Sequence, residues 1–286
     1  MIFLMIFNET RTRARSRKND EGEIMILPIY QVDAFTSKLF GGNPAAIVPL
    51  EKWLDDEIMQ KIAAENNLSE TAFFVKEKEH YHIRWMTPVN EVPLCGHATL
   101  ASAYVIFNFI EKNSTKIKFM SKSGELIVDR DGELLTLDFP AHKPRPVPMN
   151  EAIKKCFDKE PLEVLENGFY LLVVFDSEEY IRNFQPKIEL IKQIHLHAVI
   201  ISAKGNEVDF VSRMFAPNEG IDEDPVTGSA HTVLVPYWSE KFGKKNFRVL
   251  QVSKRMGELL CEERGDRVRI SGNAVLYSTG SLFLGL

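Results

Sequence analysis

The chain has 286 residues, 44% of them apolar and 26% charged, with a net charge of −5. These proportions exclude a disordered or fibrous protein, and the mild acidity gives no reason to expect nucleic acid as a partner. Three widely spaced cysteines without a CxxC pair argue against a disulfide framework and suit a reducing, cytoplasmic compartment, and no apolar run reaches the roughly 20 residues that span a bilayer.

The first 24 residues are expected to be a disordered extension. Met1 to Phe7 is apolar and Arg11, Arg13, Arg15, Arg17 and Lys18 follow it, the reverse of the order in a signal peptide. The acidic run Asp20-Glu21-Gly22-Glu23 argues against a transit peptide. A basic arm for nucleic acid or lipid is the functional alternative. The fold is expected to begin near Met25, with a strand over Leu27 to Phe35 and a tight turn at Gly41-Gly42-Asn43-Pro44 leading to a second strand. Asp55 or Asp56 can cap a helix that runs to about Asn66. Strands follow from Leu68 to Val75 and from Tyr81 to Met86. Pro93-Leu94-Cys95-Gly96-His97-Ala98 then opens an apolar helix that extends to Ile110. After three short strands, the proline-rich Pro140 to Pro148 reads as a linker. We therefore expect an N-terminal domain over 25–142 and a C-terminal domain over 143–286, with the last strand able to cross back to the first.

The second half repeats the design. Glu223-Asp224-Pro225-Val226-Thr227-Gly228-Ser229-Ala230 is a turn feeding an apolar helix from about Ser229 to Trp238. Pro236 lies inside that pattern, and since an interior proline removes a helical donor, the regular helix is expected to break near Leu234. Self-comparison strengthens the repeat. Arg84-Trp85-Met86-Thr87-Pro88 returns as Arg213-Met214-Phe215-Ala216-Pro217, Gly96-His97-Ala98 as Gly228-Ser229-Ala230, and Gly124-Glu125-Leu126 as Gly257-Glu258-Leu259. The order is kept and the offset stays at about 130 residues. This implies two similar α+β halves, each a curled sheet around a buried helix. Each helix would aim its N-terminal amides at a shared cleft, an arrangement suited to a carboxylate.

Few side chains on these elements could do chemistry. Glu70 is a lone acid on an apolar strand and the best candidate for proton transfer, although a Glu at a strand start is more often simply solvated. His97 at a helix start is expected to be pushed towards its neutral form. Asp224 and Ser229 read as site groups or as a turn former and a first-turn hydroxyl. Cys95, also at a helix start, would have a lowered thiol pKa by the dipole argument, yet reads equally as a small buried residue. His80/His82 and His195/His197 could each share a strand face as metal ligands, but no third ligand is evident and no metal site is expected. The chain has no GxGxxG, Walker or GxSxG motif.

From about Leu27 onward, the sequence resembles the phenazine biosynthesis-like (PhzF-like) family within the diaminopimelate-epimerase-type fold. The resemblance rests on Gln31-Val32-Asp33-Ala34-Phe35, Gly42-Asn43-Pro44-Ala45-Ala46, Leu68-Ser69-Glu70-Thr71-Ala72-Phe73, Pro93-Leu94-Cys95-Gly96-His97-Ala98-Thr99 and the 223–230 stretch. It implies two pseudo-symmetric half-barrels, each wrapped around a central helix, and a cofactor-free active site between them. By the same resemblance Glu70 shuttles a proton, His97, Asp224 and Ser229 line the site, the amides of Gly96 and Gly228 hold a substrate carboxylate, and the protein is a homodimer. The epimerase relatives use paired cysteines, whereas here Thr227 stands opposite Cys95. The expected function is therefore a cofactor-independent isomerase of a small carboxylic acid. Two alternatives remain open from sequence: a non-catalytic binding protein on the same scaffold, and an epimerase that uses Cys95.

Overall fold

A computed structural model describes residues 15–19 and 22–285. Most of the expected N-terminal extension lies outside the described residues. Within it, however, Arg15–Asn19 is a strand antiparallel to the start of Gly22–Ala34, where the sequence suggested disorder. Backbone pairing with a long strand supplies the hydrogen bonds that this charged segment cannot make by itself.

The chain forms two compact units that interleave in sequence. One holds the described parts of Met1–Val32, together with Pro44–Ile127 and Leu276–Leu286, and the other holds Asp33–Asn43 and Val128–Val275. The chain passes between the units more than once: Asp33–Asn43 belongs to the second, and Leu276–Leu286 to the first.

In the first unit, Asn43–Leu50 and Glu70–Glu77 run parallel, with Ala45 opposite Glu70, and the helix Asp56–Asn66 connects them. His80–Met86 pairs antiparallel with the second of these strands, parallel with Lys116–Ser121, and antiparallel with the short Glu91–Val92. The helix Gly96–Val105 is buried at every position except Tyr104 and passes into a π-helical turn at Ile106–Ile110. Its run of small residues has no polar face, the pattern of a helix enclosed on all sides. The polar exceptions are satisfied locally: the Thr99 hydroxyl donates to the Cys95 carbonyl and that of Ser102 to the Ala98 carbonyl. Leu27, Val48, Met59, Ile62, Phe73, Val75 and Met86 form one core cluster of this unit.

The second unit repeats the ladder. Tyr170–Phe175 runs parallel to Ala198–Lys204, with Tyr170 opposite Ala198, and Phe210–Ala216 follows antiparallel. That strand pairs parallel with Asn246–Gln251 and antiparallel with Ile221–Asp224. Equivalent registers recur: Tyr81 opposite Phe119 and Phe210 opposite Val249, then Trp85 opposite Val92 and Met214 opposite Asp224. Even an ion pair is duplicated. Arg84 grips Glu91 through two hydrogen bonds of 2.9 and 2.8 Å, and Arg213 grips Glu223 through two of 2.7 and 2.8 Å.

The second central helix departs from expectation. It spans His231–Phe242 and passes through Pro236 without the break expected near Leu234. Proline at 236 removes the donor that would serve the carbonyl of Thr232, four residues earlier. That carbonyl instead accepts from the backbone N–H of His142 at 2.9 Å. A partner from a distant segment makes good the lost bond, so the helix continues. Among the described residues, no helix is long and apolar enough to cross a membrane.

Candidate functional site

Glu70 is the first residue of its strand, and Cys95 and His97 flank Gly96 at the start of the first central helix. Cys95 is the N-cap, with extended backbone (φ −144°, ψ 113°). The three are 8%, 6% and 4% exposed, so the expectation of a merely solvated Glu70 fails. His97 Nε2 lies 3.2 Å from Glu70 Oε2, and His97 Nδ1 lies 3.5 Å from Cys95 Sγ. The imidazole thus bridges a carboxylate and a thiol.

Both expectations drawn from the helix dipole are reversed. Burial and the Glu70 charge push the Cys95 thiol up to about 11, against the opposing pull of His97. Burial also disfavours a charged His97, but the neighbouring Cys95 and Glu70 outweigh it and raise its pKa well above 6.5. Since Cys95 remains a thiol at neutral pH, the Glu70 carboxylate is the charge that sustains the imidazolium. Magnitudes decide the matter. A helix end contributes about 0.3–1 kcal/mol, whereas opposite charges 4 Å apart interact by about 4 kcal/mol at an effective dielectric near 20.

The second unit carries a different constellation. Asp224 is buried, and its carboxylate accepts from Asn43 Nδ2 at 2.8 Å and from the Thr227 hydroxyl. Asn43 also donates to the Val226 carbonyl at 2.9 Å. Gln251 accepts from the Thr227 N–H and donates to the Asp224 carbonyl, both at 2.8 Å, and the Ser253 hydroxyl donates to the Pro225 carbonyl at 2.7 Å. Two glycines make this clamp possible. Gly42, with φ +62°, has room only for hydrogen where a Cβ would come within 2.1 Å of the Ala34 carbonyl oxygen. At Gly257 a Cβ would meet Val226 Cγ2 at 2.3 Å.

The clamped turn delivers Gly228, Ser229 and Ala230 as a tight turn ahead of the helix, which begins two residues later than the sequence suggested. Their N–H groups meet no protein acceptor among the described residues, leaving donors directed from a helix start. Ser229 Oγ pairs with the Tyr170 hydroxyl at 2.9 Å. Burial, with the Asp224 charge added, pushes the Tyr170 phenol up to about 12, so it stays a neutral hydroxyl. His231 is fully buried with Nδ1 2.9 Å from the Thr227 carbonyl oxygen, and burial lowers its pKa to about 4.

The structure therefore groups Glu70, Cys95, Gly96 and His97 in one unit and Asp224, Gly228 and Ser229 in the other. Sequence reasoning missed Tyr170, Gln251 and Ser253, and used Asn43 only as a turn residue. For Tyr170 and Asn43 the signal available was a polar side chain at the start of an otherwise apolar strand. The His-x-His pairs remain peripheral: His80 and His82 lie 3.6 and 3.8 Å from Glu77, and His197 lies 3.1 Å from Glu219.

The family described as phenazine biosynthesis-like protein matches residues 32–280. The chain belongs to this family. A Pseudomonas aeruginosa protein named as an uncharacterized isomerase is 47% identical, over 91% of this chain and 100% of its own length. The crystal structure of a PhzF family protein from Enterococcus faecalis is 44% identical and superposes with a TM-score of 0.89, covering 91% of this chain and 100% of that one. A hydroxyproline epimerase from Agrobacterium vitis is only 9% identical but has a TM-score of 0.60 over 91% of this chain and 93% of its own, a likeness of fold alone. The phenazine biosynthesis-like chain is thus an isomerase-class enzyme on the epimerase-like fold, as the sequence motifs implied.

Proposed function

We propose that the chain is a cofactor-independent isomerase of a small carboxylic acid, with Glu70 as its proton shuttle. The observation that carries this reading is the buried Glu70–His97 pair, 3.2 Å apart, at the start of a central helix. It places a carboxylate base beside an imidazolium acid, the two groups that a proton shift requires. Glu70 takes a proton from an activated C–H, the bonding electrons move into the adjoining unsaturated system, and Glu70, its proton exchanged with solvent, delivers one to a different carbon. The product is an isomer of the substrate, and the enzyme ends as it began. The imidazolium of His97 donates a hydrogen bond to the charge that develops, and the Gly96 amide at the helix start attracts the substrate carboxylate. In the second unit, Asp224, the Gly228 amide and the Ser229 hydroxyl are the proposed substrate-binding groups. Cys95 is disfavoured as an epimerase base, because its thiol holds its proton up to about pH 11.

Solvent-deuterium incorporation into a panel of small unsaturated and amino carboxylic acids, followed by mass spectrometry, tests the reading. Wild-type protein is expected to label one substrate class and Glu70→Gln to label none. Equal labelling by both proteins would overturn it. Binding of a carboxylic acid without labelling would favour a binding protein on this scaffold.

A further inference from the structure

We propose that Glu70, Cys95 and His97 form a binding site for one thiophilic divalent cation, of which Zn2+ is the biological representative, and that filling it blocks the proton-transfer pair. The blocking part rests on the function proposed above; the binding part does not.

One sulfur, one nitrogen and one oxygen donor lie within 4.8 Å of one another, all buried. Zinc binds thiolate at about 2.3 Å and imidazole at about 2.0–2.1 Å in tetrahedral geometry, which places the two donors about 3.5 Å apart. Cys95 Sγ and His97 Nδ1 are already at 3.5 Å. One edge of the tetrahedron is therefore set by the helix start itself, since the two residues flank Gly96 in the N-cap geometry. The third donor is Glu70 Oε2, a buried oxygen that makes no geometric hydrogen bond among the described residues and lies 3.2 Å from the far ring nitrogen of His97. Turning that carboxylate from Nε2 towards the metal completes three protein ligands and leaves a fourth position for water or a substrate carboxylate.

The exchange balances. The cation displaces the thiol proton of Cys95 and one imidazolium proton of His97, releasing two protons to solvent with no change of oxidation state. The second unit offers no counterpart. The corresponding positions hold Ala198, Thr227 and Ser229, which lack a sulfur or imidazole donor, so one ion per chain is expected.

The test uses the metal-free full chain titrated with Co2+, whose coordination by a thiolate gives a charge-transfer band in the near ultraviolet. One equivalent should saturate the band, Zn2+ should abolish it, and Cys95→Ser should lose it while keeping the wild-type circular dichroism spectrum. His80→Ala/His82→Ala should keep it. No band in the wild type, or an undiminished band in Cys95→Ser, would overturn the site. With a substrate from the labelling panel, Zn2+ should suppress deuterium incorporation as the site fills. Labelling undisturbed at full occupancy would overturn the blocking role and leave the isomerase reading standing. A cobalt band in a protein that labels no acid would uphold the site and count against that reading instead.

Discussion

The two central helix starts share a backbone and differ in chemistry. Each follows a short strand held by a doubly bonded Arg–Glu pair, and each lies beside a parallel pair of strands with matching register. Yet the position of Glu70 opposite Ala45 is taken in the second unit by Ala198 opposite Tyr170. Cys95 and His97 give way to Thr227 and Ser229. One copy holds a buried charge pair, while the other holds a carboxylate that clamps a turn and a neutral Ser–Tyr hydroxyl pair. The duplication fixes where donors and side chains are presented; the residues installed there decide whether a proton can move.

The difference can be broken most severely at Glu70. Glu70→Gln should reduce turnover by roughly 10²–10⁴-fold, the usual contribution of a positioned acid or base, with the circular dichroism spectrum of wild type. A comparable rate loss in an Ala substitution at Tyr170, with Glu70 intact, would contradict the assignment of proton transfer to one copy alone. Next in size is a pH effect confined to the second unit. His231 has a folded-state pKa of about 4, below its ordinary 6.5, so the unfolded chain binds more protons between those values. The stability it contributes is complete above about pH 6.5 and is lost as pH falls towards 4, by up to about 3 kcal/mol. Urea unfolding at pH 7 and pH 4.5 should show this loss in wild type and not in His231→Gln.

Smaller effects probe the clamp and the helix. Asn43→Ala leaves Asp224 Oδ1 and the Val226 carbonyl without that donor and should destabilise by about 1–3 kcal/mol. Urea denaturation of this variant beside wild type checks this. Pro236→Ala should stabilise by well under the roughly 3 kcal/mol usual for an interior proline, because His142 already serves the Thr232 carbonyl; a gain of the full amount in thermal unfolding would mean that this bond is ineffective. Smallest of all, iodoacetamide at pH 8 should modify Cys95 far more slowly than a free thiol, as read by mass spectrometry. Fast modification would restore the lowered thiol pKa that the helix dipole alone suggests.

What was legible in the sequence is local or repeated. Glycine turns before apolar runs located both central helices, and the Arg84 and Arg213 segments showed the duplication, since these depend on neighbours in the chain. What was not legible depends on long-range placement. The charge on His97 follows from Glu70 being brought to 3.2 Å, and continuity through Pro236 follows from an N–H contributed by His142. Asn43, Gln251 and Ser253 act on Asp224 to Thr227 from distant strands and loops. Gly124 and Gly257 illustrate both cases. The sequence pairs them correctly, but Gly124 sits at φ +95° with open space around it, whereas Gly257 is pressed against Val226.

The most direct test of a one-sided chemistry is deuterium incorporation, at saturating substrate, by wild type, Glu70→Gln and Ser229→Ala. The account predicts that Glu70→Gln incorporates no label, while Ser229→Ala incorporates it at a rate close to wild type with a raised KM. Label gained by Glu70→Gln at the wild-type rate, or abolished at saturation by Ser229→Ala, would contradict it.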